Sequence, residues 1–200
     1  MKQRVIFVRH GSLPERAAGR IIGQCDIELS QQGRQEAVAV GRFLKDITVD
    51  KVWAGTLRRV CETHELACRN AANLPEPIFD DRFNEMDFGD WAFSTIAEHP
   101  ISSWRIHDPE ATYPGGENMG DFMRRTRAGL QEVLDSGAET AVIFSHGGVI
   151  MGLLADIVGL SREHQFNLWV ERGCVAEVAY DNSGTGRLHQ IIRPLDIYGE

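Results

Sequence analysis

The chain has 200 residues, 42% of them hydrophobic and 25% charged, with a formal net charge of −8. That length suffices for one sizeable domain with a closed core, and the composition is ordinary for a globular protein, with no apolar run near the roughly 20 residues of a membrane span. The acidic balance disfavours non-specific nucleic-acid binding and requires that any anionic substrate be captured by a local basic cluster.

The opening MKQRVIFVRHG has too short an apolar run for a signal peptide, and Arg9-His10 follows where a small-residue cleavage site would sit, so a cytoplasmic location is expected. RVIFV (4–8) reads as a strand buried on both faces. Residues 30–45 read as a helix with Ser30 as N-cap and Ala37, Val40, Phe43 and Leu44 on one face. DKVWAG (50–55) is a second strand, and 57–71 a helix with Val60, Cys61, His64, Ala67 and Cys68 at helical spacing. Residues 76–83 hold a short third strand, and the Trp-, Pro-, Gly- and His-rich stretch 86–116 reads as an irregular, lid-like segment. A long amphipathic helix spans 116–137, with Met119, Phe122, Met123, Leu130, Val133 and Leu134 inward. TAVIFS (140–145) is another buried strand, 147–160 a very apolar helix, and 174–180 with 187–193 a hairpin around DNSGTG. No linker, repeat or low-complexity tract interrupts the chain. Strands alternating with helices give one α/β domain over 1–200, a three-layer sandwich with a mostly parallel central sheet and helices on both faces.

Cys25, Cys61, Cys68 and Cys174 show no CxxC spacing and read as free thiols. The pattern that asks for explanation is a repeated strand ending: VIFVRHG (5–11) and VIFSHGG (142–148). In open α/β sheets, sites form outside the carboxyl ends of the strands. If these two strands are neighbours, His10 and His146 face each other across one crevice, and Gly11, Gly147 and Gly148 bring backbone N–H groups near a ligand. A single His at a strand end is commonly just a polar residue leaving the core; two alike are harder to explain so. Zinc is disfavoured by the lack of an HExxH or HxH spacing. Arg58 and Arg59 stand at the start of a helix, where cations are unfavourable unless an anion is bound nearby; spacing alone does not rank them. Glu85, Asp87 and Asp90 are candidate general acids in an acidic loop that could equally be solvated surface.

In this order and spacing, RHG, TLRRVCET, NEMDFGDW and FSHGG resemble the histidine phosphatase superfamily, the phosphoglycerate-mutase-like family. IIGQCDIELSQQGRQEA (21–37) is similar to its G-x-x-D-x-x-L-[ST]-x-x-G segment. The resemblance implies that His10 is a transiently phosphorylated nucleophile, Glu85 the proton donor and His146 the second pocket histidine. It implies that Arg9 and Arg59 bind the phosphate, Arg59 through the L-x-R-x-x-x-T spacing of Leu57, Arg59 and Thr63, with Gly11, Gly23 and Gly147 also among the substrate-binding positions. Arg16 stands where the family usually has an Asn that touches phosphate and is counted among the substrate-binding residues, replacing that contact with a charged one unless the loop follows a different path; Ala92-Phe93 stands where the family usually has Glu-Gly, and Asn118 where PGGES has Ser.

The function so implied is a phosphomonoesterase with no metal and no other cofactor, acting on a small phosphorylated metabolite. Members of this length include α-ribazole-5′-phosphate phosphatases, sugar-phosphate phosphatases and broad-specificity enzymes. No nucleic-acid or membrane partner is expected. A mutase is less favoured, because only about 30 residues separate Glu85 from the long helix and nothing resembles the added segment with which the mutases enclose a second phosphate. A non-catalytic phospho-ligand binder on the same fold is the remaining alternative.

Overall fold

The computed structural model describes residues 3–71, 74–95, 97–99, 110, 112–161, 164 and 167–199. Six strands form one sheet: β1 (Gln3–Arg9), β2 (Lys51–Ala54), β3 (Pro77–Phe79), β4 (Thr140–Ser145), β5 (Val175–Tyr180) and β6 (Gly186–Ile192), in the spatial order β3-β2-β4-β1-β5-β6. The first four places in that order are parallel, and β5 is antiparallel to both β1 and β6. The sheet is therefore mixed, with the expected parallel block and a C-terminal hairpin added along its β1 side.

Alternation along β1 assigns the layers. Val5 and Phe7 pack with α3 (Met119–Asp135) and α4 (Gly147–Val158), while Ile6 and Val8 pack with α1 (Gln31–Leu44) and α2 (Arg58–Cys68). All four of these residues are fully buried. The helix ends follow local chemistry. The Ser30 hydroxyl accepts from the Gly33 amide to cap α1, the Asn118 carboxamide accepts from the Asp121 amide to cap α3, and Gly159 closes α4 in the left-handed region at φ 74°. Asn118, the departure from PGGES, thus serves as the N-cap. A short α5 (Leu195–Tyr198) ends the described chain, its Tyr198 ring lying edge-on to Phe43 of α1.

Only part of the lid-like stretch can be described: a 3₁₀ turn covers Gly89–Trp91, while 96, 100–109 and 111 lie outside the described residues. Among the described residues no helix is long and apolar enough to cross a membrane.

Candidate active site

Because β4 lies between β1 and β2, the carboxyl ends of β1 and β4 adjoin, and the His10 amide donates to the Ser145 carbonyl. This brings the two histidines together, with ring centroids 5.2 Å apart and planes at 61°. His10 Nδ1 lies 2.8 Å from the Gly11 carbonyl oxygen. A carbonyl only accepts, so Nδ1 carries the proton and Nε2 keeps its lone pair. Burial, followed by the charges of Arg59 and Arg9, holds His10 well below the ordinary imidazole range, and burial with Arg59 does the same to His146. Both rings are neutral near pH 7. His146 is fully buried beside His10, and neither of its ring nitrogens meets a protein hydrogen-bond partner.

A cavity of about 300 Å³ opens in front of His10, walled by Arg9, Arg59, Glu85 and Arg172 together with Gly23, Gly147 and Gly148. Arg59 is 1% exposed at the first turn of α2 and is held by the 23–25 loop, donating to the carbonyls of Gly23 (2.5 Å) and Cys25 (2.7 Å). Burial lowers its pKa to about 10, which still leaves it charged. Its neighbour Arg58 is exposed and donates to Glu62 at 2.8 Å. Arg9 donates to the Val170 carbonyl and sits 5.8 Å from the Trp169 ring centroid. The Nε atoms of Arg9, Arg59 and Arg172 are all buried without a protein partner.

The Glu85 carboxylate stands at the amino end of α4, where Oε2 accepts from the Gly148 amide at 3.1 Å. Both glycines of the SHGG step have a steric reason. A Cβ on Gly147 would come within 2.7 Å of the Arg9 guanidinium, and one on Gly148 within 2.3 Å of Glu85 Oε1. The loop carrying Glu85 is clamped by Arg125, which donates to the carbonyls of Arg82 and Asn84 (both 2.8 Å) and Glu85 (3.0 Å) and to Glu117 Oε1 (2.6 Å).

The remaining sequence-predicted residues sit off the cavity wall or support it. The Gly11 amide donates to the Thr63 hydroxyl, and a Cβ there would meet the Gly33 carbonyl oxygen at 2.3 Å, so this glycine lets α1 approach the loop after β1. Arg16 is exposed and turned away, paired through both terminal nitrogens with Glu28 at 2.7 Å. It does not supply the contact expected at that position. Arg172 was not foreseen from sequence; it enters from the segment preceding β5, where the Gly173 amide donates to the His10 carbonyl. Phe93, at the position where the family usually has Gly, takes φ 65°, with its ring 4.7 Å from the Arg20 guanidinium. Among the described residues no group of three or more His, Cys, Asp or Glu side chains is arranged to hold a metal ion.

Around His10, three guanidinium charges (Arg9, Arg59, Arg172) stand with a single carboxyl group, Glu85, a local excess of positive charge. Such an excess suits a phosphate group, and planar guanidiniums suit its oxygens. A family model for the histidine phosphatase superfamily (branch 1) matches residues 5–191. The chain belongs to this superfamily. A protein of Erwinia tasmaniensis named "Probable phosphoglycerate mutase GpmB" is 31% identical, over 90% of this chain and 93% of its own length. A glucosyl-3-phosphoglycerate phosphatase of Mycolicibacterium vanbaalenii is also 31% identical, over 79% and 75%. The α-ribazole phosphatase of Shigella flexneri shares the fold of this superfamily member at a TM-score of 0.81 and 23% identity, covering 96% of both chains.

Proposed function

We propose that this protein is a metal-independent phosphomonoesterase working through a phosphohistidine on His10. The observation that carries the reading is the contact of His10 Nδ1 with the Gly11 carbonyl, which leaves Nε2 as the nitrogen with a lone pair on a histidine that lines a cavity together with three guanidiniums. In the first step Nε2 attacks phosphorus, the bond from phosphorus to the ester oxygen breaks, and the Glu85 carboxyl gives a proton to the departing alkoxide. In the second, water attacks the phosphohistidine, the P–N bond breaks, and the proton of the water returns to the Glu85 carboxylate. Inorganic phosphate leaves and the starting state is restored. Arg9, Arg59 and Arg172 neutralise the equatorial oxygens throughout, and His146 backs the nucleophile.

Relatives in the superfamily bear mutase as well as phosphatase names. A mutase must hold a second anionic group. Among the described residues, the only cation on the wall beyond the three around His10 is Arg20, and its guanidinium is engaged by the carbonyls of Arg16 and Phe93. This favours hydrolysis, with α-ribazole-5′-phosphate, which carries an apolar aromatic base, a better candidate substrate than the polar sugar phosphates. The test is stoichiometric turnover of p-nitrophenyl phosphate and of an alkyl phosphate in EDTA. One alcohol and one inorganic phosphate per ester, with inhibition by vanadate, is the expected result. Loss of activity on chelation, restored by zinc or magnesium, contradicts the metal-free mechanism; phosphoryl transfer without phosphate release indicates a mutase; and no turnover indicates a binder.

A further inference from the structure

The cavity is chemically divided. Its lining falls into two chemical sets, the histidine with the guanidiniums, and an apolar wall of Ile22, Met86, Phe88, Met119, Phe122 and Met151. Four of these six, Met86, Met119, Phe122 and Met151, are at most 6% exposed, so they form a recess rather than an outer surface. Phe88 is braced edge-on against Tyr113 at 4.8 Å, and Tyr113 against Trp91 at 5.3 Å, giving the recess one stiff aromatic side. The three thioethers give it an adaptable one. Among the described residues that line the cavity, the charged side chain outside the phosphate end is Arg20, which already serves two backbone carbonyls.

We infer that the recess selects phosphomonoesters whose alcohol is a bulky apolar group, alkyl or aryl, over esters of polyhydroxylated or carboxylated alcohols. The inference rests on the phosphatase reading and specifies its substrate class. The physical reason is differential desolvation. An apolar alcohol moiety entering the recess leaves water for thioether and aromatic surface. A sugar or glycerate entering it gives up hydrogen bonds to water that this wall does not replace. The phosphate end binds every ester alike, so the apolar wall decides among them.

A series of ethyl, butyl and hexyl phosphates tests this, because the same bond breaks in each and only apolar length changes. kcat/KM is expected to rise about fourfold per methylene until the chain fills the cavity. Hexyl or 2-phenylethyl phosphate should exceed glucose 6-phosphate and 3-phosphoglycerate by at least about tenfold. Ile22→Asn, which places an amide on the half-buried part of the wall, should compress the hexyl-to-ethyl ratio by about tenfold; Met151→Gln is the second variant should the first fail to fold. Binding of ethyl- and hexylphosphonate by calorimetry reads the same preference without turnover, so a failed phosphatase reading and a failed recess inference are separable. A flat series in both rate and binding, or 3-phosphoglycerate as the best substrate, overturns the inference.

Discussion

Arg58 and Arg59 are chain neighbours of the same type, yet one is paired with Glu62 at the surface and the other is buried against the 23–25 loop. The difference cannot be read from helical periodicity, since each position begins the first turn; it came from the Leu57-Arg59-Thr63 spacing of the family. Thr63 explains that spacing physically: its hydroxyl donates to the Arg59 carbonyl and accepts from the Gly11 amide, joining α2 to the His10 loop. Replacing Arg59 by Lys keeps the charge and loses the fork. It should cost on the order of 2 kcal/mol in kcat/KM, whereas Arg58→Lys should leave kcat/KM within about twofold of the wild type. Steady-state kinetics of the two variants side by side decide this, and reversed costs would place the wrong arginine in the site. Arg172 left no such signal: it is a single Arg in a short loop, and its place depends on β5 pairing with β1, which brings Cys174 and Gly173 against Arg9 and His10. The hairpin pattern shows that β5 and β6 pair with each other, not what β5 meets on its other side. Arg172→Met removes a cation from the phosphate end and should lower kcat/KM about tenfold or more for every ester. An unchanged value would leave Arg172 outside phosphate binding.

At the scale of elements, the short apolar strands, the Ser30 cap and the inward faces of α1 and α3 were legible because period and capping chemistry are local. The SHGG step was legible as a site but not as a mechanism. In the structure each of its glycines yields space to a different working group, Gly147 to the Arg9 guanidinium and Gly148 to the Glu85 carboxylate, and the Gly148 amide also holds that carboxylate. Gly148→Ala pushes against the flexible end of Glu85 rather than against backbone, so the fold should persist while the carboxylate moves. We expect turnover of an alkyl phosphate to fall about a hundredfold, with a melting temperature near that of the wild type. Formation of the phosphoenzyme from p-nitrophenyl phosphate, whose leaving group needs little protonation, should fall far less. Equal losses with both esters would show that Gly148 serves something other than the acid.

Across the whole molecule, a chain of net charge −8 concentrates three arginines and two neutral histidines at one end of its sheet. Folding therefore depends on pH in a definite direction. His10 and His146 are held well below the ordinary imidazole value when folded, but in the unfolded chain they titrate near pH 6.5. Below that pH the unfolded state binds more protons, so stability is retained above about 6.5 and falls as the solution is acidified. The loss should be on the order of 1 kcal/mol per pH unit for each ring. Urea unfolding between pH 7.5 and 5.5 should show this fall in the wild type and a shallower one in the His10→Asn/His146→Asn double variant; parallel slopes would contradict the burial of both rings as neutral groups. The fold class was legible because strands and helices alternate, whereas the strand order that joins β1 to β4 depends on packing between distant segments. The central claim is the covalent step at His10, and rapid quenching at neutral or alkaline pH during turnover of p-nitrophenyl phosphate tests it most directly. Peptide mapping by mass spectrometry should place a single phosphoryl group on His10 in the wild type, with greater occupancy in Glu85→Gln and none in His10→Ala. A phosphoryl group on Ser12 or Cys25, or full turnover by His10→Ala, would contradict the account.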